Sequence, residues 1–338
     1  MKTTTYPEHA EVFSTRMYAT AGAAIWAGIA LLAHFGRVPV GAIELLFLFA
    51  PLVIVPLGME LGRVVLDSAV ANKNLEPWST RLGYLARIAL PFGVAMAVVA
   101  LLLPPGMSAG LLAFGWMTVC LLLASAGITD LVINSSLKNS ARGRARLVNI
   151  SLSIAEIDLA VGGAWFVASR FGMHALGIQE PIGLLTALHF HFAGFAGATI
   201  AGTTLHFAEL RGRARGLRWS VALVVGMPFL VAAGFVISPL LKMIAAVIFS
   251  VSVAALAISV RSMTRCTEAK AARVFLHIAA VSVFVGMVFS SVYAIADLRG
   301  SDLLPIPQMA RTHGVLNAVG FCLCGLLGWL IELNPRAE

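Results

Sequence analysis

Five titratable side chains sit inside long apolar runs, where an ionisable group is costly and is the default pointer to function. Glu156 and Asp158 occur in SIAEIDLAVGGAWF, His189 and His191 in LLTALHFHFAGFAGATIAG, and His313 in ARTHGVLNAVGF. A carboxyl group and an imidazole suit acid–base chemistry, because one donates a proton while the other accepts it or orients the donor. At a rise of about 1.5 Å per residue, Asp158 lies roughly 18 Å along its helix from Arg170, and His191 roughly 16 Å from Glu180. The two helices share the short connection 171–180 and are expected to be antiparallel neighbours. A carboxylate and an imidazole are therefore expected to meet near the midplane. Glu60 and Asp130 fall toward the ends of their runs, within reach of headgroups or loop cations, and His206 and His277 read as packing residues.

Spacing divides each pair. Residues two apart on an α-helix project about 200° from each other, so one of Glu156/Asp158 and one of His189/His191 should face a site while its neighbour points away. Both histidines could bind one metal only on an unwound helix, but they can serve two sites on opposite faces. The H-F-H run resembles the haem-ligand helix of haem–copper oxidases, where each histidine serves a different haem, although no paired-histidine set for copper accompanies it. On that alternative, His189, His191, His206 and His313 are candidate ligands for haem or a transition metal.

These residues must be positioned by membrane helices. Of the 338 residues, 59% are hydrophobic and only 12% charged, with a mean hydropathy of +0.91, which leaves too few charges to clothe a soluble surface. The predicted class is all-α: a polytopic bundle of ten transmembrane helices in a single domain, 1–338, with no strand alternation. Apolar stretches of spanning length lie near 17–36, 42–65, 82–103, 108–134, 147–170, 181–208, 219–237, 240–260, 274–296 and 308–331. The N-terminal MKTTTYPEHAEVFSTR carries acids and a proline and does not read as a signal peptide. Cys120, Cys266, Cys322 and Cys324 lack zinc-ribbon spacing and read as packing residues.

Lysine and arginine set the orientation, since they concentrate on the cytoplasmic side. Lys138, Arg142, Arg144 and Arg146 share one connection; Arg211, Arg213, Arg215 and Arg218 another; Arg261, Arg265, Lys270 and Arg273 a third. With ten spans these fall on one side, as do both termini, and of the 24 basic residues only Arg37, Arg170, Lys242, Arg299 and Arg311 lie nearest the other. Both ends are thus expected in the cytoplasm, in a multi-pass protein of a bacterial cytoplasmic membrane. The net charge of +8 then reflects orientation and gives no reason to invoke nucleic acid.

LFAPLVIVPLGMELG, GGAWFVASRFGM, LLTALHFHFAGFAGATIAG and RTHGVLNAVGF together resemble the YndJ-like family of bacterial membrane proteins. The specific motifs are H-F-H-x-A-G-F and T-H-G-x-x-N-A-x-G-F, and the resemblance marks His189, His191, Gly194, Phe195, His313, Gly314 and Asn317 as motif residues here. It implies a multi-spanning protein without a defined reaction. The residues themselves lead to an intramembrane enzyme on a lipophilic substrate, performing an acid–base cyclisation, isomerisation or epoxide opening. Glu156, Asp158, His189, His191 and His313 are its candidate catalytic groups, and Trp165, Phe190, Phe192, Phe195 and Asn317 its candidate substrate contacts. The alternatives are a secondary transporter coupled to protons through the same carboxylates and the haem or metal protein above.

Overall fold

The computed structural model describes residues 15–69, 77–136, 145–301 and 303–333. Every extended element among them is helical, and ten helices are long and apolar enough to cross a bilayer: α1 (Met17–His34), α2 (Ala42–Ser68), α3 (Ser79–Leu102), α4 (Met107–Ile133), α5 (Arg146–Phe171), α6 (Ile182–Leu210), α7 (Leu217–Ile237), α8 (Pro239–Cys266), α9 (Lys270–Leu298) and α10 (Ile306–Leu333). The chain is an all-α polytopic membrane bundle whose apolar outer faces meet the lipid. Each span matches an expected one to within a few residues. Lys138, Arg142 and Arg144 of the charge pattern lie outside the described residues.

Helices α2 and α6 form the interior. In each, 78% of the most apolar window is buried, against 17–50% in the other eight. Small residues let their neighbours approach, as is usual where lipid supplies no hydrophobic drive for helix association. A side chain at Gly58 of α2 would collide with the Phe195 ring of α6, and one at Gly93 of α3 with the Gly115 carbonyl of α4.

Three spans are not regular α-helices. Wider π turns interrupt α2 at Ala50–Ile54, α6 at Phe190–Ala196, and α10 at Ala310–Gly314 and Leu316–Leu323. Such turns bond i to i+5 and gather at functional sites in many proteins. The motif residues His191, Gly194, Phe195, His313, Gly314 and Asn317 all fall within them, and His189 caps the one in α6.

Candidate functional site

A cavity of about 730 Å³ lies among α6, α7, α8, α9 and α10, with Trp165 of α5 and Leu46 of α2 completing its wall. It occupies the half of the bundle near the 172–181 and 299–305 connections. Its lining is mainly aliphatic and aromatic, including Trp165, Phe190 and Phe192. Against this background a few polar groups converge: Thr186 and His189 on α6, Lys242 on α8, Ser290, Tyr293 and Asp297 on α9, and His313 and Asn317 on α10. An apolar pocket with a small polar set is the usual form of a small-molecule site.

The two histidines of H-F-H part company, as their spacing requires. His189 lines the cavity. Its Nδ1 donates to the Leu185 carbonyl at 2.6 Å, which leaves the Nε2 lone pair without a protein partner among the described residues. His191 is fully buried on the opposite side of α6. Its Nδ1 donates to the Ala187 carbonyl at 2.7 Å, and its Nε2 accepts from the Trp116 indole at 2.9 Å. The Trp116 ring stacks on the imidazole, and Phe47 meets it edge-on. Both nitrogens are committed, the Nδ1–H tautomer is fixed, and His191 has no lone pair left for a ligand.

The carboxylates also diverge, and neither lines the cavity. Asp158 is fully buried and turns toward α6, where its carboxyl occupies the space a side chain on Gly194 would need. His191 does the reciprocal thing one turn away, filling the notch left by Gly162 of α5. The two helices are thus locked by a polar side chain from each seated in a glycine of the other. The expected meeting of Asp158 with His191 does not occur, because each faces the opposing backbone rather than the opposing side chain. Among the described residues, both carboxyl oxygens of Asp158 lack a hydrogen-bond partner. Glu156 turns the other way, its Cβ and Oε2 against Gly127 of α4, within electrostatic reach of Asp130, which in turn is hydrogen-bonded to Ser79. Phe195, expected among the substrate contacts, instead wedges against Gly58 and is 2% exposed.

His313 enters the cavity from α10. Its Nδ1 donates to the Gly286 carbonyl of α9 at 2.9 Å, and the Asn317 amide nitrogen lies 3.1 Å from Nε2. Gly286 permits this arrangement, since a side chain there would meet the Asn317 amide at about 3.0 Å. Asn317 Oδ1 is buried without a hydrogen-bond partner among the described residues. His189 and His313 are close enough to interact electrostatically. The result is two imidazoles from different helices, each tethered at Nδ1 to a carbonyl, facing one apolar space.

The remaining expectations resolve simply. Glu60 pairs with Arg63 at 2.8 Å. His206 Nε2 meets Ser68 Oγ at 3.1 Å, and His277 Nε2 meets Arg261 at 3.2 Å. Among the described residues no cluster of three or more His, Cys, Asp or Glu side chains could hold a metal ion. Sequence reasoning missed Lys242, Tyr293 and Asp297. The signal was present for Lys242, one of the few basic residues on the sparsely charged side of the chain's charge pattern.

Over 187 residues, 55% of this chain, the sequence is 29% identical to an uncharacterized membrane protein, YndJ, of Bacillus subtilis (strain 168). The match covers 34% of that protein, so the chain spans about a third of the length of the curated relative it matches. No solved structure matches. The YndJ-like protein family matches residues 45–321, a stretch that runs from α2 into α10 and takes in every polar group of the cavity, and the chain therefore belongs to that family.

Proposed function

We propose that this chain is an intramembrane enzyme that moves a proton on a lipophilic substrate held in the cavity between α6 and α10. The observation that carries the reading is the pair of tethered imidazoles, His189 and His313, facing one apolar space from separate helices. His189 Nε2 is the base, since Nδ1 is engaged by the Leu185 carbonyl and the residue lines the cavity. His313 and Asn317 orient the substrate's polar group. A proton taken by His189 and returned to another atom of the same molecule gives an isomerisation, which needs no second reactant; ring closure or epoxide opening uses the same two groups. Trp165, Phe190 and Phe192 supply apolar surface for the chain. The excess of basic residues on the opposite side of the bundle supports a position for this site in the outer half of a bacterial cytoplasmic membrane.

The unpartnered Nε2 of His189 would also suit a haem, and the test separates the two readings. Purified protein is recorded for visible absorption, then reconstituted and incubated with a total lipid extract, with products read by mass spectrometry. The enzyme reading expects a colourless protein and a conversion lost in His189→Gln and His313→Gln variants that melt normally. A Soret band that vanishes in those variants would establish the haem reading instead.

A further inference from the structure

The cavity changes character along its length. At its rim Lys242 Nζ of α8 meets Asp297 Oδ2 of α9 at 2.7 Å and lies 4.7 Å from the centroid of the Phe235 ring. A tight α7–α8 turn holds the lysine there: Pro239 opens α8, Ser238 Oγ accepts from the Leu241 amide, and side-chain-free Gly234 packs on the Lys242 backbone. Inward along α9 the wall runs Asp297, Tyr293 and Ser290 to Gly286, whose carbonyl holds His313, a distance of roughly 16 Å of helix. Below that level the floor is apolar, with Val283 and Phe321.

Charge at the rim runs against the orientation of the whole chain. Of the five basic residues nearest the outer side, Lys242, Arg299 and Arg311 stand at the outer ends of α8, α9 and α10, the helices around the mouth. Asp297 and Asp302 oppose them in the sequence, the latter outside the described residues. Cations are disfavoured on that side, and of these three Lys242 is the one that lines the cavity, so its place at the opening calls for a local reason. Lys242 has three donors, and the Asp297 contact engages one.

We propose that the substrate is a single-chain amphiphile with an anionic head, carboxylate or phosphate, bound at Lys242. Its chain runs inward past Tyr293, and a polar group or double bond roughly 16 Å from the head meets His189, His313 and Asn317. This rests on the cavity being the site.

The test uses the full chain in phosphatidylcholine nanodiscs with three photoreactive probes of equal chain length: palmitic acid, hexadecyl phosphate and hexadecanol, each carrying a mid-chain diazirine. Labelled residues are mapped by mass spectrometry. One or both anions should label α6, α9 and α10 at concentrations about tenfold below hexadecanol, as a charge-assisted hydrogen bond warrants, and the better of the two identifies the head. Lys242→Met should abolish that advantage without altering hexadecanol labelling. The double variant Lys242→Met/Asp297→Leu, which leaves no lone carboxylate at the rim, should behave the same. Equal labelling by all three probes, or an anion preference that survives both variants, overturns the head assignment and leaves the cavity reading standing. Labelling of the cavity by none of them, or labelling unaffected by a cavity-filling Gly197→Trp, overturns the cavity reading itself.

Discussion

On the α5 side of α6, His191 has both ring nitrogens on protein partners and Asp158 fills the notch of Gly194; on the α9–α10 side, His189 holds only Nδ1 to a carbonyl, and it borders an open space together with His313, whose nitrogens meet the Gly286 carbonyl and the Asn317 amide. Ionisable groups inside a membrane are a pointer to function by default, yet the more deeply buried pair here is the one that packs. Burial alone does not mark a site. What separates the two sides is whether the polar atoms are already occupied by the protein and whether an apolar space adjoins them. The same helix serves both because residues 189 and 191 project to opposite faces.

The comparison is most easily broken at the glycines. Gly162→Leu places a side chain within 2.6 Å of His191 Nδ1 and close to the Ala187 carbonyl, where neither backbone can yield. Thermal unfolding in detergent should show a loss at or above the upper end of the roughly 1–3 kcal/mol typical of overpacking. Gly194→Ala meets the Asp158 carboxyl and should cost less, with most of that loss recovered in an Asp158→Ala background. A double-mutant cycle showing additive costs would mean that the two residues are not in contact.

Next in size are the histidines. His191→Ala strands the Trp116 indole N–H in a dry interior, and leaving a buried donor unsatisfied costs about 1–3 kcal/mol, to which the lost ring packing adds. His189→Ala removes only a half-satisfied ring at a cavity wall and should cost below about 1 kcal/mol, while abolishing the conversion. Equal destabilisation by both substitutions would erase the distinction between the two sides of α6.

How far the sequence reveals this arrangement depends on which coordinate is asked for. Depth and length are legible, because hydropathy marks the spans and a fixed rise per residue sets Asp158 and His191 at similar depths along the normal. The divergence of His189 from His191 is legible too, since it follows from helical geometry. Azimuth is not. Nothing in SIAEIDLAVGG says whether Asp158 faces a cavity or Gly194, and the π turn at Phe190–Ala196 shifts the phase of everything after it. The rim was missed for a different reason: Lys242 lies in the first turn of α8 and Asp297 next to the last residue of α9, and although the charge pattern sets Lys242 apart, its pairing with Asp297 follows only once the partner helix is known.

The smallest expected effect concerns Asp158 itself. Its two carboxyl oxygens have no hydrogen-bond partner among the described residues, its side chain is fully buried, and it does not reach the cavity. An ionised carboxylate in that setting would be an uncompensated charge in hydrocarbon, which folded proteins avoid by pairing or by keeping the proton. Asp158→Asn preserves the shape of the protonated acid, so the melting temperature should move little, within the roughly 0.5 kcal/mol seen for substitutions that touch no special feature. The conversion assigned to His189 should continue at the wild-type rate, and Glu156→Gln, facing α4, should leave it unchanged as well. A strongly stabilised Asp158→Asn would show that the native carboxyl carries a charge. Loss of the conversion in a normally melting Asp158→Asn would move Asp158 from the packing side of α6 to the chemical one, and the contrast between the two faces would no longer hold.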